Sequence, residues 1–153
     1  MKRTTAREIA VQLGFYAAQS EKSSNEIIEE FFDEEYFKTL AQEDELFSEY
    51  PDDNSKEYII RLATNMDEYR IQIDNYIEKY AKGWKISRIS KTAMAVLRCA
   101  ICEVLYMDDI PNAAAINEAV ELAKGYDEAE TVSFINGVLG GFMRGEFGEE
   151  TKE

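Results

Sequence analysis

Apolar residues recur at intervals of three and four along most of this 153-residue chain, a spacing that predicts helices rather than strands. Thr4 or Thr5 is placed to cap a first helix whose inward face is Ala6, Ile9, Ala10, Leu13 and Ala17, with Arg3, Arg7 and Gln12 off that face and an end near Ser20. Ser23 followed by Glu26 has the form of a capping box, opening a second helix that buries Ile27, Ile28, Phe31 and Phe32. The pattern then weakens. Residues 43–53 are mostly acidic and include Pro51, so most of that stretch is expected to be a solvated loop.

Periodicity returns near Asn54, where a third helix turns Ile59, Leu62, Ala63 and Met66 inward, and Asn65 to Glu68 offer a cap for a fourth helix carrying Ile73, Ile77 and Tyr80. Gly83 and Trp84 mark a corner. Beyond it Ile89, Ala93, Val96, Leu97, Ala100, Ile101, Val104 and Leu105 trace one long apolar helix, the expected centre of the core. Asp108 to Pro111 form a turn, Asn112 can cap a sixth helix burying Ile116, Ala119, Val120 and Ala123, and Thr131 can cap a last one burying Ile135, Val138, Leu139 and Phe142. The expectation is an all-α compact bundle of about seven helices. It forms one domain over residues 1–145, with a less regular acidic segment at about 38–53 and an acidic tail at 146–153.

Composition supports helices: 45% of residues are hydrophobic, with only 2 prolines and 8 glycines. Charge changes the picture more. The net charge of −14 argues against a generic nucleic-acid binder, because phosphate contacts need lysine and arginine. Its distribution is uneven, however: +2 over residues 1–20, −11 over 21–57, +4 over 58–98 and −9 over 99–153. A local cationic surface therefore survives the acidic total.

Most catalytic chemistry is missing. The chain has no histidine, which removes the usual general base, the usual zinc ligand and the Ser-His-Asp or Cys-His arrangements together. Cys99 and Cys102 have redox-motif spacing, but they fall inside an apolar helical run, where two small core residues are expected. No stretch matches a calcium-binding loop or a glycine-rich phosphate cradle, so no metal and no cofactor are implied. Arg7 and Glu8 interrupt the place where a signal peptide needs its apolar run, and no 18-residue apolar stretch follows, so a cytoplasmic protein without membrane association is expected.

The stretch from Ile110 to Lys124, Ile-Pro-Asn-Ala-Ala-Ala-Ile-Asn-Glu-Ala-Val-Glu-Leu-Ala-Lys, resembles the NusB family, whose members carry an Ile-Pro turn followed by Ile-Asn-Glu-Ala-[Val/Ile]-Glu-Leu-Ala-Lys. Trp84 to Glu103, with Leu97, Arg98 and Glu103 as markers, and Phe134 to Leu139 agree in order, and Ala6-Arg7-Glu8 with Ala10, Val11 and Gln12 resembles the family's opening helix. The resemblance implies two packed helical subdomains and no catalysis. It implies binding of a single-stranded boxA-type RNA together with the small-subunit ribosomal protein NusE, within an RNA polymerase antitermination complex that supports ribosomal RNA synthesis. A homodimer is also compatible with it.

Carried over by position, the resemblance puts RNA contacts at Lys2, Arg3 and Arg7 and at Phe134, and it implies that the neighbourhood of Arg88 and Lys91 serves both RNA and the partner protein. Cations along the backbone and aromatic faces for splayed bases suit single-stranded RNA. Phe134 lies roughly 90° around its helix from the middle of the buried stripe, which fits either base stacking or a place at the edge of the core. For the three N-terminal cations RNA contact is the favoured reading, and the alternative is ordinary solvated charge near a terminus. Where relatives commonly place an acid this chain has Ala93, which bears on the partner contact. The other reading of the charge pattern is a helical protein-interaction adaptor with weak or no RNA binding.

Overall fold

The computed structural model describes residues 1–148. Among them are eight α-helices and two short 3-10 turns, where about seven helices were expected, and no strand. The expected tail lies partly outside: α8 runs through Phe147, and residues 149–153 are outside the described residues. The chain forms two compact units, Met1–Glu68 and the chain from Tyr69 onward. No helix of the described residues is long and apolar enough to cross a membrane.

The first unit is built on α1 (Arg3–Ala18) lying along α4 (Asp53–Glu68), with α2 (Ser24–Phe31) against both. Ile9 and Leu13 of α1 and Tyr58, Ile59 and Leu62 of α4 are almost wholly buried, each such side chain contributing roughly 1.5–3 kcal/mol. Gly14 lets the two helices close up, since a Cβ there would stand 3.1 Å from Met66 Cε. The capping box of α2 forms as expected: the Ser23 hydroxyl accepts from the Glu26 amide at 3.2 Å, and Glu26 reaches back to the Ser23 amide. Ile27 and Ile28, however, are only half-buried.

The additional helix is α3 (Glu34–Ala41), begun by Asp33, whose carboxylate accepts from the Tyr36 amide at 3.0 Å. It is followed by a 3-10 turn at Glu45–Phe47. Only Phe37 of α3 is buried, so there is no apolar stripe for periodicity to detect. What holds the segment is aromatic: Phe37 meets Phe31, Phe47 and Tyr50 edge-on with ring centroids 5.1–5.6 Å apart.

In the second unit α6 (Lys91–Tyr106) is the central helix, with Ala93 to Leu97 and Cys99 to Val104 buried, as the sequence leads one to expect. Shortening Leu97 to alanine there costs roughly 2–5 kcal/mol. Helix α7 (Asn112–Lys124) packs on α6 through Ala115, Ala119 and Ala123, while Ile116 and Val120 are only half-buried; methyl-sized side chains permit the close approach. Asn112 is the first residue of that helix rather than its cap, and Pro111 precedes it. Helices α5 (Arg70–Tyr80) and α8 (Ala129–Phe147) complete the unit. Arg98 of α6 holds Asp74 of α5 through two parallel bonds of 2.8 and 2.9 Å, both side chains being mostly buried.

Candidate nucleic-acid interface

In the second unit the site begins where α5 ends. The Trp84 amide donates to the Ala81 carbonyl at 3.0 Å, closing a four-residue turn whose third position is Gly83 at φ 82°. A positive φ at that position is the mark of a type II turn and favours glycine, so the tight reversal follows from the sequence. A 3-10 turn at Ile86–Arg88 continues the chain, and Ser90 caps α6 by accepting from the Ala93 amide at 3.1 Å. Thr92 donates to Asp127 at 3.0 Å, tying the first turn of α6 to the loop before α8.

This run places Lys82, Lys85, Arg88 and Lys91 on the surface. Residues 82–91 contain no carboxylate at all. Phe134, on the second turn of α8, is half-buried and packs against Trp84 with ring centroids 4.9 Å apart and planes tilted by 50°. Trp84 itself is 49% exposed. The sequence pattern marks Trp84 only as a corner; the signal that could have singled it out is a lone tryptophan between two lysines.

In the first unit the three N-terminal cations part company. Lys2 is exposed, beside a Met1 ammonium that lies 3.6 Å from Glu49 and 3.5 Å from Asp52. Arg3 is also exposed, and its guanidinium lies over the ring of Tyr58 at 3.9 Å from the centroid. Arg7, expected off the apolar face, is instead buried at 3% exposure, with its guanidinium 5.9 Å from the same ring. The α1 surface one turn beyond Arg3 faces α4, not solvent. Tyr58 is completely buried and so gives Arg3 a fixed base.

The NusB family model matches residues 4–144. The chain belongs to the NusB family. A transcription antitermination protein NusB from Acetivibrio thermocellus is 45% identical over 140 residues, covering 92% of this chain and 87% of the relative. Among solved structures, NusB from T. maritima superposes with a TM-score of 0.76 at 28% identity, covering 94% of this chain and 92% of the other. A structure of antitermination factors NusB and NusE in complex with double-stranded RNA matches with a TM-score of 0.73, over 94% of this chain and 96% of that one; at 21% identity this shows the NusB fold alone.

Among the described residues no cluster of three or more histidine, cysteine or acidic side chains is arranged to hold a metal ion. Cys99 and Cys102 are fully buried in α6, and burial pushes the Cys102 thiol up to about 12, so neither offers a nucleophile at neutral pH.

Proposed function

We propose that this NusB-family protein is a non-catalytic transcription antitermination factor that binds a single-stranded boxA-type RNA together with a NusE-type ribosomal protein. The observation that carries the reading is the Trp84–Phe134 ring pair on a stretch of exposed cations free of carboxylates. Aromatic surfaces on which splayed bases stack, with cations for the backbone beside them, are what single-stranded RNA recognition uses. Arg3, stacked on Tyr58, is a preorganised phosphate contact of the first unit, and Lys2 is a second. Arg88 and Lys91 complete the set, whereas Arg7 supports Arg3 from within the fold. The A. thermocellus relative bears the antitermination name, and a protein of the same fold has been crystallised with NusE and RNA. In this reading the protein works in the cytoplasm within a polymerase-bound complex, and a homodimer would compete for the same basic surface.

The test is binding of a boxA-type single strand at low and moderate salt, with and without NusE. Affinity that falls with salt and rises with the partner is expected; binding indifferent to salt, or absent in every condition, contradicts the proposal.

One feature favours the adaptor reading as a second. The first unit has an open groove of about 730 Å³ floored by Leu13, Phe31 and Phe47, with Tyr16 and Tyr36 exposed on its walls. Its carboxylates Glu30, Glu43 and Asp44 outnumber Lys22, which is ion-paired with Glu30 at 2.8 Å. Such a surface suits a basic protein segment.

A further inference from the structure

Trp84 is the only tryptophan of the chain, and half of its surface lies in solvent. Local backbone explains how it is presented: the Gly83 turn throws it out beyond the end of α5, and a Cβ at Gly83 would meet nothing within 4 Å. Phe134 holds the indole in place, its ring packed against it with centroids 4.9 Å apart and planes tilted by 50°. A base cannot enter between these two rings. Stacked bases are spaced by about 3.4 Å, so a sandwich needs roughly twice that separation.

The exposed part of the indole is therefore the surface open to a ligand, and Phe134 is its support. Lys82, Lys85 and Arg88 surround it in sequence, all exposed, and none is ion-paired among the described residues. An apolar protein anchor docking here would have to desolvate three uncompensated cations, whereas a nucleic-acid strand brings phosphates for them.

We propose that Trp84, braced by Phe134, is a nucleobase-stacking platform for single-stranded RNA, with Lys82 and Lys85 holding the flanking phosphates. The inference rests on the RNA-binding reading and deepens it: the ring that meets a base is Trp84, and Phe134 acts through it.

A lone tryptophan makes the test direct. Intrinsic fluorescence of the full chain is titrated with an unstructured RNA of about a dozen nucleotides, long enough for one site, while RNA retention is measured separately. Quenching that saturates together with retention is expected. Trp84→Ala should bind roughly ten-fold more weakly and Trp84→Phe should recover most of the loss, both with the salt slope of the parent, because the phosphate contacts remain. Lys85→Gln should instead lower that slope by about 0.7. A melting curve establishes that each variant is folded, and Trp84→Phe keeps the test decisive if Trp84→Ala is not.

Retention of RNA with unchanged fluorescence, and with Trp84→Ala binding like the parent, would overturn the platform and leave the RNA reading standing. No retention by the parent protein overturns both. A fluorescence change caused by the NusE-type protein alone, and not by RNA, makes this a protein-docking surface and overturns the proposal.

Discussion

Tyr80 occupies the space that a side chain at Gly145 would need: a Cβ there would collide with the tyrosine hydroxyl and lie 2.6 Å from Cε1. The ring also lies 3.4 Å from where a Gly141 Cβ would stand, so at this end of the α5–α8 contact one tyrosine is laid along two glycines. Gly137, on the same helix, has open space around it. Opposite outcomes follow for the same substitution. Gly137→Ala should stabilise by about 0.5–1 kcal/mol, the ordinary helix preference for alanine. Gly145→Ala should destabilise by about 1 kcal/mol, since overpacking exceeds that preference and swings Tyr80 away. Thermal melting of the two variants checks the pair, and a rise for both would mean that the ring moves without loss.

The Tyr80 hydroxyl donates to the Glu146 carboxylate, which also accepts from Lys79 Nζ at 2.9 Å. The Tyr80 bond, and after it the Lys79 bond, hold the Glu146 carboxyl below its ordinary 4.5. Because the folded-state value is depressed, the stabilisation is full above the ordinary value and is lost as pH falls through the folded one. Tyr80→Phe removes the larger cause. It should lower stability near neutral pH, and its deficit against the parent should shrink as pH drops below about 4.5. Denaturant midpoints at neutral pH and at successively lower pH test this; a deficit independent of pH would assign the loss to packing instead.

Much of this architecture is legible in the sequence because it rests on repetition. The α6 stripe and the Ile135-Val138-Leu139-Phe142 face recur at helical spacing over several turns, and both are buried as expected except for Leu105, which is half-buried. Elements held by a few specific contacts escape such a pattern. Helix α3 buries one residue, and its stability comes from edge-on contacts of Phe37 with rings before and after it in the chain, Phe31, Phe47 and Tyr50. The inward face of α7 is marked by alanines, whose small size matters only once α6 is known to lie close. At the site, Phe134 and the cations at the start of α6 follow from family position, whereas Trp84 needed the ring pair to be seen. Periodicity puts Arg7 off the apolar face, because nothing in the local sequence brings Tyr58 of α4 beside it.

The two cysteines give a further check on the packing of α6. Both are fully buried, they are not joined, and burial raises the Cys102 thiol to about 12. Native protein should therefore leave both thiols unreacted with a chromogenic disulfide reagent at pH 8, and denatured protein should release two equivalents. Fast reaction of either thiol in the native state would contradict the buried α6.

Arg3 and Arg7 lie one helical turn apart and share the ring of Tyr58, yet they should respond differently to loss of charge. Arg3 is exposed, so its guanidinium keeps access to a phosphate, and its contact with the ring fixes it rather than hides it. Arg3→Gln should reduce RNA affinity and lower the salt slope by about 0.7, with stability unchanged within about 0.5 kcal/mol. Arg7 is buried, and glutamine there removes a guanidinium around which α1 and α4 are packed. Arg7→Gln should destabilise the first unit by about 2 kcal/mol, and its RNA affinity under strongly folding conditions should change with little effect on the salt slope. Melting curves and salt-dependent binding on the same two variants separate the roles. Equal slope losses for both would place Arg7 in contact with phosphate, which a side chain at 3% exposure does not allow without local opening.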